Sequence, residues 1–324
     1  MKIKSLHIKN FKSIVDLEIV EPNQFTVFVG PNGAGKSNIF EALEFWSYHL
    51  LNQMIPLFGE GETIINRKSG LEKLGLRIDL TNFPRTINMI DIDIINRHHK
   101  FGTLIQKGIQ SENSSLNELY KNYSRVFIKN EAVEKIPRKD NEKLSLSASN
   151  LEKVLKRILQ DEVNREEILE WLQLLIPEFE NIEIIVDDFD GESKLKIYEK
   201  HTKRPFPKSL ISDGTYNILA LLTAVYQSDE PQFLCIEEPE NGLNPYVIRK
   251  MVDLFRSACE EKGHYIWLNT HSNVLVECLT PEELIVVDKI GGETKIKQIK
   301  GMDLHGLDMA EVWLSGALGG GTPW

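Results

Sequence analysis

The sequence predicts an α/β fold: a mostly parallel sheet flanked by helices, with an antiparallel β lobe and a helical insertion. Three observations predict it. An apolar run, Phe25–Val29, leads straight into a glycine-rich loop and then an amphipathic stretch. After residue 205, short apolar runs at 233–236 and 264–269 alternate with longer stretches of helical spacing. Between residues 51 and 205 the pattern changes to short alternating segments and one long helical stretch. The expected division is therefore a core from 1–50 and 206–300, an insertion at 51–205, and a Gly/Trp-rich tail at 301–324.

Taken in order, residues 1–9 and 14–20 alternate apolar and polar, as half-buried strands do. Glu21-Pro22-Asn23 reads as a turn. Phe25–Val29 reads as a buried strand, and a helix follows from about Ser37 to Leu50, burying Ile39, Phe40, Leu43, Phe45 and Trp46. Residues 51–70 are loop-like, and Leu74–Leu80 reads as a strand. Thr86–Asn96 and Phe101–Ile109 are expected to pair as a hairpin. Residues 110–118 read as a loop, Tyr123–Lys129 as a strand, and 130–143 as an exposed charged stretch. From Leu151 to Leu175 the apolar spacing is helical, as one helix or two, with Ser149 or Asn150 as the cap. Ile182–Val186 and Lys194–Tyr198, joined across Asp190-Gly191, read as a hairpin. Tyr216–Tyr226 and Tyr246–Glu261 read as helices, and 284–299 as two strands around Gly291-Gly292.

The bulk properties narrow the classes. Hydrophobic residues make up 41% of the 324 and charged residues 27%, which is ordinary for a globular protein. A net charge of −10 argues against a generally basic nucleic-acid coat and leaves room for a local basic groove. The opening MKIKSLHIKNF lacks the apolar core of a secretory signal. The longest apolar stretch, near 216–226, is about half of what a membrane span needs. Cys235, Cys259 and Cys278 have no C-x-x-C spacing and read as reduced core thiols. A cytoplasmic protein that avoids membranes is expected.

The chemistry concentrates in four places. Gly30-Pro31-Asn32-Gly33-Ala34-Gly35-Lys36-Ser37 fits G-x-x-x-x-G-K-[ST] between a strand and a helix. Its glycines let backbone N–H groups, with those at Asn32, Gly33, Gly35 and Asn38, turn toward phosphate oxygens, and the helix N-terminus adds positive charge there. Lys36 would reach the β- and γ-phosphates of ATP, and Ser37 would ligate Mg²⁺. Glu237 and Glu238 follow a buried strand, at the end where open α/β sheets place ligands. Glu237 is expected to hold Mg²⁺ with Ser37, and Glu238 to orient the attacking water. His271 ends the next strand, where a neutral imidazole can bond a γ-phosphate or water. Ser212-Asp213-Gly214-Thr215 opens a helix and reads, by itself, as a plain N-cap.

In combination these motifs resemble the ABC-type P-loop ATPases of the RecF/SMC/OLD group, most of all the OLD-like members. The carriers are Gly30–Ser37, Ser212–Thr215, Ile236-Glu237-Glu238-Pro239-Glu240 through Asn244-Pro245, Thr270-His271-Ser272, and the opening Ile8-Lys9-Asn10-Phe11-Lys12-Ser13. The resemblance implies an ABC-type head that hydrolyses ATP with Mg²⁺ in a head-to-head homodimer or higher oligomer. Lys36, Ser37, Glu237 and Glu238 of one copy would then face Ser212 and Gly214 of the other. It implies that Lys12 approaches the nucleotide, and that a Mg²⁺-binding glutamine follows the first lobe, with Gln53 and Gln106 as candidates. It further implies antiviral defence or DNA-related work, with DNA itself a candidate ligand and a separate nuclease or effector as partner. About fifty residues follow His271, too few for the Toprim nuclease of full-length OLD proteins. The tail, with Trp313, Leu314, Leu318 and Trp324, is read either as folded onto the core or as a docking peptide for that partner. The runner-up reading is a nucleotide-gated DNA-binding or repair module with slow, incidental hydrolysis.

Overall fold

The structure, a computed structural model, describes residues 2–50, 73–80, 88–93, 121–128, 140–187, 191–304 and 306–319. The chain opens with the antiparallel pair β1 (Ile3–Phe11) and β2 (Ile14–Val20), then β3 (Phe25–Val29), which runs through the glycine loop into α1 (Lys36–Leu50). The middle supplies β4 (Lys73–Leu80), β5 (Asn88–Asp93), β6 (Tyr123–Val126), α2 (Leu151–Ile158) and α3 (Glu162–Leu175). The hairpin β7 (Phe179–Val186) and β8 (Ser193–Glu199) follows, with β9 (Phe206–Pro207) beside it. Then come α4 (Asp213–Tyr226), β10 (Phe233–Glu237), α5 (Pro245–Lys262), β11 (Tyr265–Thr270) and α6 (Asn273–Glu277). The hairpin β12 (Leu284–Ile290) and β13 (Glu293–Gln298) precedes the last helix, α7 (Met309–Leu314).

Among the described residues the central sheet has six strands in the order β13-β12-β3-β11-β10-β6. Only β13 runs antiparallel to its neighbour; the other pairings are parallel. Both faces are covered, and the strand sequences show why. Strand side chains alternate between faces, so β3 sends Val27 and Val29 into one cluster and Phe28 into the other. Leu234 and Ile236 of β10 part from Phe233 and Cys235 in the same way, as do Ile266 and Leu268 of β11 from Tyr265 and Trp267. The first cluster holds the helices α2 to α7. The second holds α1 and the strands β1 and β2, which belong to the antiparallel β2-β1-β4-β5 sheet. Its centre is aromatic: Phe28 meets Phe40 edge-on at 5.5 Å, and Trp267 sits 5.4 Å from Phe28 and 4.8 Å from Phe233.

Several elements differ from the sequence reading. β5 pairs with β4, Leu74 opposite Ile92, while its expected hairpin partner, Phe101–Ile109, is outside what the structure describes. Residues 51–70, 110–118 and 130–139 also lie outside the described residues. β6, expected within the insertion, is the edge strand of the central sheet, parallel to β10. The stretch 151–175 is two helices, because the Asp161 carboxylate accepts from Asn164 N–H and starts α3 afresh. Asn150 stands at the N-cap of α2, but its side chain bonds Ser145 N and the carbonyls of Asp140 and Lys143 instead. In the tail, Trp313 and Leu318 are buried in this chain's own core, so neither is available as the docking anchor considered above. Leu314 is exposed, and Trp324 lies outside the described residues. Among the described residues no helix is long and apolar enough to cross a membrane.

Candidate functional site

The site begins where β3 delivers the loop to α1. Gly35 has φ +104°, a backbone region that side chains rarely adopt, and a Cβ there would lie 2.0 Å from Thr294 Oγ1. Thr294, on β13, donates to Ala34 O at 2.8 Å and lies 2.6 Å from Ser13 Oγ, which accepts from Asn38 Nδ2 at 2.6 Å. A relay of three polar side chains from the two ends of the chain thus braces the back of the loop. Asn32 and Gly33 form its exposed front.

Lys36, the first residue of α1, turns back over the loop. Its Nζ donates to Gly30 O at 2.8 Å and to Pro31 O at 3.2 Å. Burial lowers its pKa to about 8, against the opposing pull of Glu238, Glu237 and Glu240. The ammonium therefore sits at the mouth of the cradle, within electrostatic reach of Glu238, Glu237 and Glu240.

Glu237 ends β10 opposite Asn269 of β11 and is buried. Its Oε2 accepts from Ser37 Oγ at 2.5 Å and from Asn269 Nδ2 at 3.1 Å. Its Oε1 accepts from Arg125 Nε at 2.6 Å. Arg125 stands on β6 with its side chain 3% exposed and also donates to Glu44 Oε2 on α1 at 2.7 Å. Burial works against the Arg125 cation, but Glu237 and Glu44 more than reverse this and hold its pKa above the usual value. Lys12 is seated on Glu41 of α1, which is 3.6 Å from Arg125. It is the next residue, Ser13, that touches the loop.

Glu238 leaves the strand with φ +47°, a left-handed conformation that is uncommon for a side-chain-bearing residue. Its N–H donates to Asn269 O at 3.0 Å, and its Oε2 accepts from Asn241 Nδ2 at 3.1 Å. His271 is exposed just past β11; partial burial and the Lys36 cation lower its pKa, with Glu238 opposing, so the ring is neutral near pH 7. Glu238, His271 and Lys36 thus lie within electrostatic reach of one another at one mouth.

Ser212 caps α4, its Oγ accepting from Thr215 N at 3.1 Å. A Cβ on Gly214 would lie 2.5 Å from Gly242 O. Asn217 Nδ2 donates to Pro239 O at 3.1 Å and to Asn241 O at 2.6 Å. The start of α4 is therefore packed against the loop that follows Glu238. Gln53 and Gln106 lie outside the described residues.

Ser37 Oγ and Glu237 Oε2 form a pair of hard oxygen donors that suits Mg²⁺. Among the described residues no three His, Cys, Asp or Glu side chains cluster to hold a metal. Arg125, Asn269, Ser13 and Thr294 were not legible as site residues. For Ser13 the signal was its place in the opening Asn-Phe-Lys-Ser motif; for Asn269, a polar side chain at the end of an apolar strand. Arg125 and Thr294 carry no local signal.

A family model described as "AAA domain, putative AbiEii toxin, Type IV TA system" matches residues 25–277. A Helicobacter pylori protein named "ATP/GTP phosphatase" is 23% identical, over 94% of this chain and 94% of its own length. A Methanocaldococcus jannaschii chromosome partition protein Smc is 49% identical over 43 residues, 13% of this chain and 4% of that protein. A Corynebacterium jeikeium DNA replication and repair protein RecF is 36% identical over 69 residues, 20% of this chain and 16% of that protein. This chain thus spans only a small part of those Smc and RecF proteins. Among solved structures, an Smc head bound to the C-terminal winged-helix domain of ScpA has a TM-score of 0.62 at 17% identity, covering 91% of this chain and 97% of that one. The SMC head domain of Thermotoga maritima has a TM-score of 0.55 at 17% identity, covering 93% and 100%. The fold is that of the SMC-head, ABC-type ATPases.

Proposed function

This chain belongs to the AAA-domain ATPase family matched over residues 25–277, and we propose that it hydrolyses ATP at a site completed by a second copy of itself. The observation that carries the reading is the pair of half-sites on one chain. Gly30–Ser37, Glu237, Glu238 and His271 form one half, and the exposed, Ser212-capped start of α4 forms the other. Bound Mg²⁺, held by Ser37 and Glu237, would neutralise charge on the phosphates. The loop N–H groups and Lys36 bind the β- and γ-phosphates. Glu238 orients the attacking water for in-line displacement, and neutral His271 offers a hydrogen bond to that water or to the γ-phosphate. Ser212 and Gly214 of the second copy present an N-terminal helix dipole to the same phosphate.

The biological setting follows the family description and the relatives. A toxin–antitoxin or antiviral role, with the ATPase controlling a separate nuclease or effector, is the reading we favour. The short Smc and RecF matches favour, as a second reading, a nucleotide-gated DNA-binding module.

Complementation tests the shared site. Lys36→Ala removes one half and Ser212→Arg the other, so each variant alone should be inactive. In an equal mixture half of the dimers are mixed and each of these keeps one intact site, giving about a quarter of the parent turnover. A mixture as inactive as its components would sink the shared site. Full-rate hydrolysis by a demonstrated monomer would do the same. Glu238→Gln should bind ATP, lose turnover and accumulate the dimer.

A further inference from the structure

The run Glu237-Glu238-Pro239-Glu240 places three carboxyl groups within four residues, and the function above uses two of them. Glu240 is the third. β10 and β11 are parallel neighbours, with Glu237 opposite Asn269, so the turns that follow the two strands lie side by side. Glu240 bridges them. Its Oε1 accepts from Thr270 Oγ1 at 2.6 Å and from His271 N at 3.0 Å. Thr270 Oγ1 in turn accepts from Ser272 N at 2.9 Å, and Ser272 caps α6 through Leu275 N. One carboxyl oxygen thereby fixes the backbone on which His271 stands.

The other oxygen is different. Glu240 Oε2 is buried without a hydrogen-bond partner. Glu240 lines a small cleft whose other walls are apolar, among them Leu243, Ile248, Met251 and Leu275. A charged carboxylate with one oxygen buried and unpartnered is costly, and burial accordingly raises the pKa of this group. The work of holding the turn is done by Oε1, an acceptor that a carboxamide oxygen also offers.

We infer that Glu240 is a positioning residue of the hydrolytic site, a latch that holds the Thr270–Ser272 turn, and with it His271, against the turn carrying Glu238. The inference rests on the reading of Glu238 and His271 as groups acting on the phosphate and its water. It does not require the shared site. Glutamine has the same shape, carries no charge and keeps the acceptor oxygen, so it should replace glutamate. Alanine removes the acceptor and frees the turn.

Steady-state kinetics on the full chain test this. Glu240→Ala should lower kcat about tenfold with KM for ATP changed less than about threefold, the pattern of a lost transition-state interaction. Glu240→Gln should restore at least half of the parent kcat. The decisive measurement is a cycle with His271→Ala: if Glu240 acts through His271, adding Glu240→Ala to His271→Ala should lower kcat by less than about twofold. Thermal melts of each variant report folding separately. The inference is overturned if Glu240→Ala keeps the parent kcat, if Glu240→Gln is as defective as Glu240→Ala, or if the two losses multiply in the double variant. Glu238→Gln and His271→Ala in the same assay keep the two readings apart. Parent turnover by those variants would overturn the assignment of the site itself, whereas their loss beside an active Glu240→Ala would overturn only the latch.

Discussion

Removing Arg125 should reveal how the buried charge beneath the site is balanced. Its guanidinium is 3% exposed and joins Glu237 of β10 to Glu44 of α1, both side chains below 10% exposure. Arg125→Met leaves the hydrocarbon stem roughly in place and strands two buried carboxylates. Breaking such a pair from one side costs about 3–5 kcal/mol, because the remaining charge stays buried without its partner. Unfolding entropy of about 2.1 cal/mol/K per residue gives about 0.7 kcal/mol/K for a chain of 324 residues. The melting temperature should therefore fall by about 4–7 °C, read by calorimetry at pH 7 without nucleotide. The bidentate pair of Arg256 with Glu283 is the control, since the Arg256 side chain is 29% exposed and partly screened. Arg256→Met should cost about 1.5–3 kcal/mol and shift the melt correspondingly less. Adding Glu44→Gln to Arg125→Met should recover part of the loss by removing one stranded charge. An unchanged or raised melting temperature for Arg125→Met, or a loss smaller than that of Arg256→Met, would refute the reasoning.

Three further outcomes follow from the same geometry. Gly35→Ala combines a disfavoured φ with a Cβ 2.0 Å from Thr294 Oγ1, so affinity for a fluorescent ATP analogue should fall about tenfold or more; unchanged affinity would contradict the bracing of the loop. Gly214→Ala meets a backbone carbonyl, Gly242 O, at 2.5 Å; the loop after Glu238 must shift, and kcat should fall about tenfold while nucleotide binding is largely kept. His264 is fully buried, and burial lowers its pKa to about 4, against an ordinary value near 6.5 in the unfolded chain. Between those values the unfolded chain binds the extra proton, so stability falls as pH drops through the window, by about 2 kcal/mol from pH 7 to pH 5. Urea titrations at the two pH values check this, and His264→Asn should abolish that part of the difference.

What was legible in the sequence is what lies close together along the chain. Gly30–Ser37 carries its function in eight consecutive residues, and Glu237-Glu238 follows a strand whose apolar run marks it as buried. The parallel sheet was legible for the same reason: both faces of β3, β10 and β11 are covered, which writes continuous apolar runs. Arg125 was not legible. A single arginine inside Tyr123–Val126 reads as a solvent-facing residue, and only the pairing of β6 with β10, Arg125 opposite Cys235, brings it under Glu237. Thr294 meets the loop across 260 residues of chain through a hairpin whose own sequence is unremarkable. The tail was ambiguous because its apolar residues would serve a docking peptide or a core equally well; burial places Trp313 and Leu318 in the core and leaves Leu314 exposed.

The strained backbone at Glu238 is where these observations meet. A non-glycine residue at φ +47° costs about 1–3 kcal/mol and persists only when its surroundings over-determine it. Here they do so from four directions. Asn269 takes its N–H, and Asn241 holds its carboxylate. Asn217 grips the carbonyls of Pro239 and Asn241 from α4, and Glu240 ties the next turn to His271. Gly242 lies against Gly214 with no room for a side chain on the latter. The segment that aims Glu238 is therefore clamped between the end of β11, on the side of the chain's own loop, and the start of α4, on the side proposed for a second copy. In the proposed role of orienting water, a carboxylate held in this way would lose little freedom, so its contribution would come from placement made at folding rather than from movement during the reaction.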